Sequence, residues 1–243
     1  MKQENPAMRL SSPPGWYGKL PGSGDFMRRR LPENVVSRWS HWFSSGMQRI
    51  GAQAEPQLQR APVWNFVVPA SLGAPWVQMG CLLPARDRVG RQYPICAMQL
   101  CAPEAWHPLR LKLAGDWYYR LGKTLSQAVH NRYSGDQLDA ALLALDAPAM
   151  PSGTPRSDVL DIIGYDDAPD TLNWPKLASF FDPEQYSSFW WSNQSDGSAF
   201  YTHSHSGNFT SQLFFRLFDP LSSHQGLHTP MFGKHLQGRG DES

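Results

Sequence analysis

Several short stretches carry residue types that could do chemistry. Gly122-Lys123-Thr124 has the ending of a phosphate-binding loop, in which backbone N–H groups and a lysine cradle phosphate oxygens. That motif needs a second glycine five residues earlier, and Trp117 stands there, within a helical pattern. A nucleotide site is therefore not expected. Gly22-Ser23-Gly24-Asp25 offers N–H groups to an anion, or is simply a tight turn with Asp25 capping or pairing locally. Arg28-Arg29-Arg30 is the one basic cluster, suited to phosphate, acidic side chains or a partner, or else paired within the chain. His203-Ser204-His205 places two imidazoles on one strand face, as a metal would need. Asp196 is the closest acid, and a polar strand face is the plainer reading. Asp166, Asp167 and Asp170 form an acidic loop, and no GxSxG elbow marks a nucleophile. No catalytic residue, cofactor or metal is expected from these patterns.

Composition narrows the field further. The chain has 243 residues, 41% of them hydrophobic and only 18% charged, with a net charge of +1. Such a chain can bury a full core. The balance leaves no whole-domain electrostatic footprint for nucleic acid or anionic lipid. Cys81, Cys96 and Cys101 lie in or beside apolar runs, as buried free thiols do. Three cysteines without CxxC spacing point to a reducing compartment and a cytoplasmic location. Met1–Pro14 lacks the apolar region of a secretory signal, and no run is long enough to span a membrane. Arg239-Gly240-Asp241, in the tail of a cytoplasmic chain, does not suggest adhesion.

The elements that must position these residues follow from periodicity. Trp16–Leu20 reads as a strand, ended by turn residues Pro21 to Asp25. From Pro32, Val35, Val36, Trp39, Trp42, Phe43, Met47 and Ile50 recur at helical spacing. Val63–Val68, Trp76–Leu83 and Tyr93–Leu100 read as strands covered on both faces, the last two joined by a long hairpin loop containing Gly90. Helices are predicted over Leu109–Val129, Gln137–Leu145, Pro175–Phe181 and Phe209–Phe218, and strands over Val159–Ile163 and Ser187–Ser192. Ten Trp, eight Tyr and twelve Phe predict an aromatic-rich core in an α/β or α+β fold.

Ordered motifs raise a family. Gly18-Lys19-Leu20-Pro21, Gly24-Asp25-Phe26, Leu31-Pro32 and the Trp39/Trp42 helix resemble the opening of the TagF/ImpM proteins associated with bacterial type VI secretion. Pro62-Val63-Trp64-Asn65-Phe66 resembles that family's PVWRF strand. Leu83 to Arg91 with Tyr93-Pro94 resembles its MPSxDxVGRxFPL segment, and Phe189-Trp190-Trp191 a later tryptophan strand. The match departs at Ser40 and Ala85, and no aromatic precedes the PVW motif in Gln57–Arg60.

The resemblance implies a single α/β domain over residues 15–236, a three-layer α/β/α sandwich on a mixed central sheet. Flexible segments are expected at 1–14 and 237–243. It also implies a non-enzymatic, post-translational repressor of type VI secretion, acting through protein binding with the forkhead-associated scaffold of the system. Some relatives carry a PP2C-type phosphatase domain. The Gly-Asp pairs here, Gly24-Asp25, Gly115-Asp116 and Gly135-Asp136, lack the setting of its metal site. A hydrolase acting on phosphorylated protein or a small phosphoester, or a structural accessory of the secretion machine, are the alternatives. Lys19, Asp25, Arg28, Asp87, Arg88 and Arg91 are the candidate residues, either binding a partner or pinning loops. Gly18, Pro21, Gly24, Phe26, Trp39, Trp42, Trp64, Phe66, Gly90 and Pro94 are expected to be structural. The two charged loops should meet at one end of the sheet, with an Asp–Arg contact across them within about 4 Å.

Overall fold

The structure, a computed structural model, describes residues 13–51, 58, 60–72, 74–148, 172, 174, 176–193 and 199–218. The strand predicted at Val159–Ile163, the acidic loop of Asp166, Asp167 and Asp170, Asp196 and the 237–243 tail lie outside the described residues. The first strands are β1 (Gly15–Gly18) and β2 (Met27–Arg29), followed by helix α1 (Glu33–Ile50). Then come β3 (Trp64–Val68), β4 (Val77–Leu83) and β5 (Ile95–Cys101). Four helices follow: α2 (Pro108–Lys112), α3 (Gly115–His130), α4 (Gly135–Leu143) and α5 (Leu177–Phe180). The hairpin of β6 (Ser187–Asn193) and β7 (Ala199–Ser206) leads into α6 (Ser211–Phe218).

The sheet has the order β2-β1-β5-β4-β3-β6-β7, and every neighbouring pair is antiparallel. The expectation of a mixed sheet is thereby corrected. Near-continuous apolar strands report that both faces are covered, whatever the direction of the neighbours. The α1 crossover does return the chain in the direction of β2, but β1, β5 and β4 lie between β2 and β3, so no parallel pair forms.

Alternation along the strands divides the core in two. Trp64, Phe66, Val68, Leu82, Cys96, Met98 and Trp190 pack with residues of α1 and α6. Val67, Val77, Met79, Cys81, Leu83, Ile95, Ala97 and Trp191 pack with residues of α2, α3 and α4. Pro32 caps α1 with an extended backbone, Glu33 sits at the positive end of its dipole, and Trp39, Trp42 and Phe43 are buried as their spacing predicts. The Trp39 ring lies 4.8 Å from that of Phe66. Buried indole N–H groups usually find acceptors, and on the α1 side of this core they do, whereas those of Trp106, Trp117 and Trp191 on the other side have none among the described residues. Trp39 Nε1 donates to Gln78 Oε1 at 2.7 Å, Trp42 Nε1 to the Thr210 carbonyl at 2.8 Å and Trp64 Nε1 to the Leu217 carbonyl at 2.6 Å.

Two elements differ from the sequence reading. The helix predicted over Leu109–Val129 is two helices, α2 and α3. The Lys112 carbonyl accepts from Leu172 N at 2.7 Å instead of continuing the helical ladder, and Ala114 N closes a tight turn on Leu111 O. The Arg28–Arg30 run begins within β2, an edge strand too short and too charged to show a strand period. All three cysteines are free and buried, and burial pushes the Cys81 and Cys96 thiols up. Among the described residues, no helix is long and apolar enough to cross a membrane and no His/Cys/Asp/Glu group could hold a metal.

Gly46 tests the α1–α6 contact. Intrinsic propensity favours alanine over glycine within a helix by about 1 kcal/mol, but a Cβ at Gly46 would collide with the base of the buried Phe214 ring. Gly46→Ala is therefore expected to destabilise the fold by roughly 1–3 kcal/mol, as overpacking does. The midpoint of urea unfolding checks it, and a stabilised variant would refute the packing argument.

Candidate functional site: two interlocked loops

The pairing of Gly18 with Ile95 brings two loops together at one end of the sheet. One runs from Lys19 to Phe26 between β1 and β2, and the other from Pro84 to Pro94 between β4 and β5. Gly18 has φ 143°, and a Cβ there would collide with the Pro94 carbonyl, so the approach of the loops requires glycine. In the second loop, Gly90 adopts φ 93°, which lets its N–H turn back to Asp87 O at 3.0 Å. Tyr93 N to Ala85 O at 3.0 Å and an Arg86–Gln92 bridge close the base of that loop.

Asp87 is the hub. Its side chain is fully buried, and both carboxylate oxygens accept. Oδ1 takes the backbone N–H groups of Val89 at 3.1 Å and Arg91 at 2.8 Å. Oδ2 takes Lys19 Nζ at 2.9 Å and Arg91 Nε at 2.6 Å. Lys19 is also buried, with its ammonium 4.9 Å from the centroid of the Phe26 ring. Arg91 continues across the junction, its Nη2 donating to Gly24 O at 2.8 Å. Arg88 N donates to Ser23 O at 2.8 Å. Burial opposes ionisation of Asp87, but the Lys19 ammonium and the Arg91 N–H groups overcome it and hold the carboxyl well below the usual carboxylate range.

The structure thus gathers Lys19, Gly24, Phe26, Asp87, Arg88 and Arg91, with Gly18, Gly90 and Pro94 shaping the approach. The expected cross-loop Asp–Arg contact is corrected. The ion pair between loops is Lys19–Asp87, while Asp87–Arg91 lies within one loop. Lys19, the residue after β1, supplies the cation from the other loop, and the Arg91 guanidinium crosses the junction to a backbone carbonyl, Gly24 O, not to an aspartate. Asp25 is exposed and has no ion pair among the described residues, so it does not pin the junction. Arg28 pairs with Glu33, Arg29 with Asp136 and Arg30 with Asp139, so the basic cluster is largely satisfied within the chain. Phe26, expected to be structural, packs edge-on against Tyr93 at 4.7 Å yet leaves 54% of its surface exposed. Pro21 is buried within the first loop, and Trp39, Trp42, Trp64 and Phe66 belong to the core.

Sequence reasoning missed the Tyr17–Tyr93 hydroxyl contact at 3.1 Å, and Asp139, which accepts from Trp16 Nε1 and pairs with Arg30. An aromatic in a strand gives no sign that its hydroxyl matters. His203 and His205 do share a strand face, with ring centroids 6.4 Å apart. Burial, Arg216 and His205 push the His203 pKa down to about 4.

Fold and site together define an α/β protein built on a seven-stranded antiparallel sheet, with a charged loop junction at one end. Residues 15–145 match the TagF N-terminal domain, a type VI secretion system-associated family, and the chain belongs to that family. The crystal structure of PA0076 from Pseudomonas aeruginosa PAO1 is similar in fold, with a TM-score of 0.63 and 24% identity over 90% of this chain and 98% of that one. No curated protein matches the chain.

Asp87→Asn leaves Lys19 buried without its counter-charge, and is expected to cost roughly 3–5 kcal/mol. Arg91→Ala, at a mostly exposed side chain, should cost about 1 kcal/mol or less from its ion pair. Because the folded-state pKa of Asp87 lies below its unfolded value of about 3.9, its stabilisation is complete above that value and is lost as pH falls through the folded one. Denaturant midpoints measured from pH 6 down to about 2 should fall less steeply for Asp87→Asn than for the native chain. Parallel acid limbs would show that Asp87 is not the coupled group.

Proposed function

We propose that this protein is a non-enzymatic, post-translational repressor of type VI secretion. It acts in the cytoplasm by binding a protein partner, the forkhead-associated scaffold of the system. Family membership supports the setting, since the matched domain is type VI secretion system-associated. The observation that carries the binding reading is what the loop junction consumes and what it leaves outward. Asp87 receives four donors, so the one buried carboxylate of the motifs serves the fold and not proton transfer. Phe26 and Val89, 54% and 70% exposed, stand on loops that are tied to each other, with the exposed Arg86 and Arg88 beside them. Aromatic and arginine side chains on a rigid support suit a protein contact, because little conformational freedom is lost on binding.

Two measurements check this reading. Deleting the protein should raise secretion by the type VI system and overproducing it should suppress secretion; no response in cells with an active system would overturn repression. In vitro, the purified scaffold should bind the native chain, and Arg88→Glu with Val89→Asp should weaken binding about tenfold or more while leaving the unfolding midpoint unchanged. Metal-dependent turnover of a phosphoester, abolished by Asp87→Ala in a folded variant, would favour a hydrolase instead.

A further inference from the structure

Strand β3 holds a polar residue in an otherwise apolar run. Asn65 is only 2% exposed and lies on the α3 side of the sheet, between Trp64 and Phe66, which face α1. A valine would suit the strand better, because a buried amide costs free energy unless it is bonded. Asn65 is bonded in a particular way. Its Oδ1 accepts from the Cys81 thiol at 3.1 Å, and its Nδ2 donates to Asn193 Oδ1 at 2.9 Å. That bond fixes the orientation of the Asn193 amide and leaves its NH2 as the remaining polar group.

Asn65 and Asn193 border a pocket of about 240 Å³ between β3, the end of β6 and α3. Lys123 and Ser126, three residues apart and so neighbours on one helix face, line it as well. The Lys123 ammonium lies 5.8 Å from the centroid of the Tyr119 ring, another residue of the lining. Gly122 lets α3 approach β3, since a Cβ there would already be 3.1 Å from Val63 Cγ1. Pro62, Val63 and Tyr119 form an apolar wall.

The geometry points to a binding site for a small organic carboxylate. With the Asn65 amide and the Tyr118 hydroxyl already bonded within the fold, the polar side chains left at the pocket are the Lys123 ammonium, the Ser126 and Tyr119 hydroxyls and the Asn193 NH2, which together favour an anion, and no lining residue is acidic. One cation with neutral donors matches a single negative charge, and the apolar wall matches a hydrocarbon or aromatic body. A phosphate dianion would find only one cation and no use for that wall. The Gly122-Lys123 pair, set aside as a nucleotide motif, thus acquires a role on a helix instead of a loop. The site lies apart from the loop junction and does not depend on the secretion reading.

The test is an NMR titration of the isotope-labelled full chain with sodium benzoate, at constant ionic strength held with sodium chloride. Saturable shifts are expected at the amides of Gly122, Lys123 and Ser126 and at the Asn193 side-chain NH2. Lys123→Met, at an exposed position that the fold does not need, should weaken binding about tenfold. Asn193→Asp, which faces the ligand with a like charge, should also weaken it. Inorganic phosphate should bind more weakly than benzoate. Shifts that fail to saturate, an unchanged affinity in Lys123→Met, or phosphate binding more tightly than benzoate would each overturn the assignment.

Discussion

One buried carboxylate organises the end of this molecule. A charge taken out of water is costly unless it is paired and its remaining lone pairs are satisfied. Asp87 meets that condition only when Lys19 arrives from β1 and the backbone of its own loop curls around it. The two conditions cannot be met separately, because Lys19 would otherwise be the unpaired buried charge. The Asp87–Lys19 pair therefore ties the two loops together. It joins the β1–β2 turn to the β4–β5 loop, 68 residues away in sequence.

Antiparallel sheets often leave one face to water, but the central strands β3, β4 and β5 are buried on both, with helix residues in the core on each side. The side against α1 is dominated by rings: Trp39, Trp42, Phe43, Trp64, Phe66, Trp190 and Phe214. Their size gives contact area, and their N–H groups add direction. Trp42 and Trp64 are anchored on carbonyls of the C-terminal region, so α6 is held by hydrogen bonds as well as by packing.

The legible parts of this sequence were those governed by local periodicity. The α1 stripe, the three central strands and the β4–β5 loop lie within a residue or two of where spacing put them. What spacing could not reach was pairing. Apolar strands look alike whatever their neighbours' direction, so the all-antiparallel order was invisible. At the junction Lys19, Asp87, Arg88 and Arg91 do come together, but the ion pair across the loops is Lys19–Asp87 and not the expected Asp–Arg contact. Asp25 and Asp87 look equivalent in sequence, each in a glycine-containing turn beside arginines. Only burial separates them, and burial depends on the β1–β5 register. The bond between Asn65 and Asn193 is hidden for the same reason, the two being 128 residues apart.

The strand order also governs when the molecule can close. β1 must wait for β5, and β3 pairs on one side with β4 and on the other with β6, with Asn65 opposite Trp191. The Trp42 indole finds its acceptor 168 residues downstream. Contacts this distant demand loop closure before they return any stabilisation, which slows the search. On the ribosome, a wide aromatic surface on α1 and β3 would emerge well before α6, the element that covers it. The chain's most vulnerable moment is therefore just before α6 is made, when that surface is complete and still open to other chains or to a chaperone.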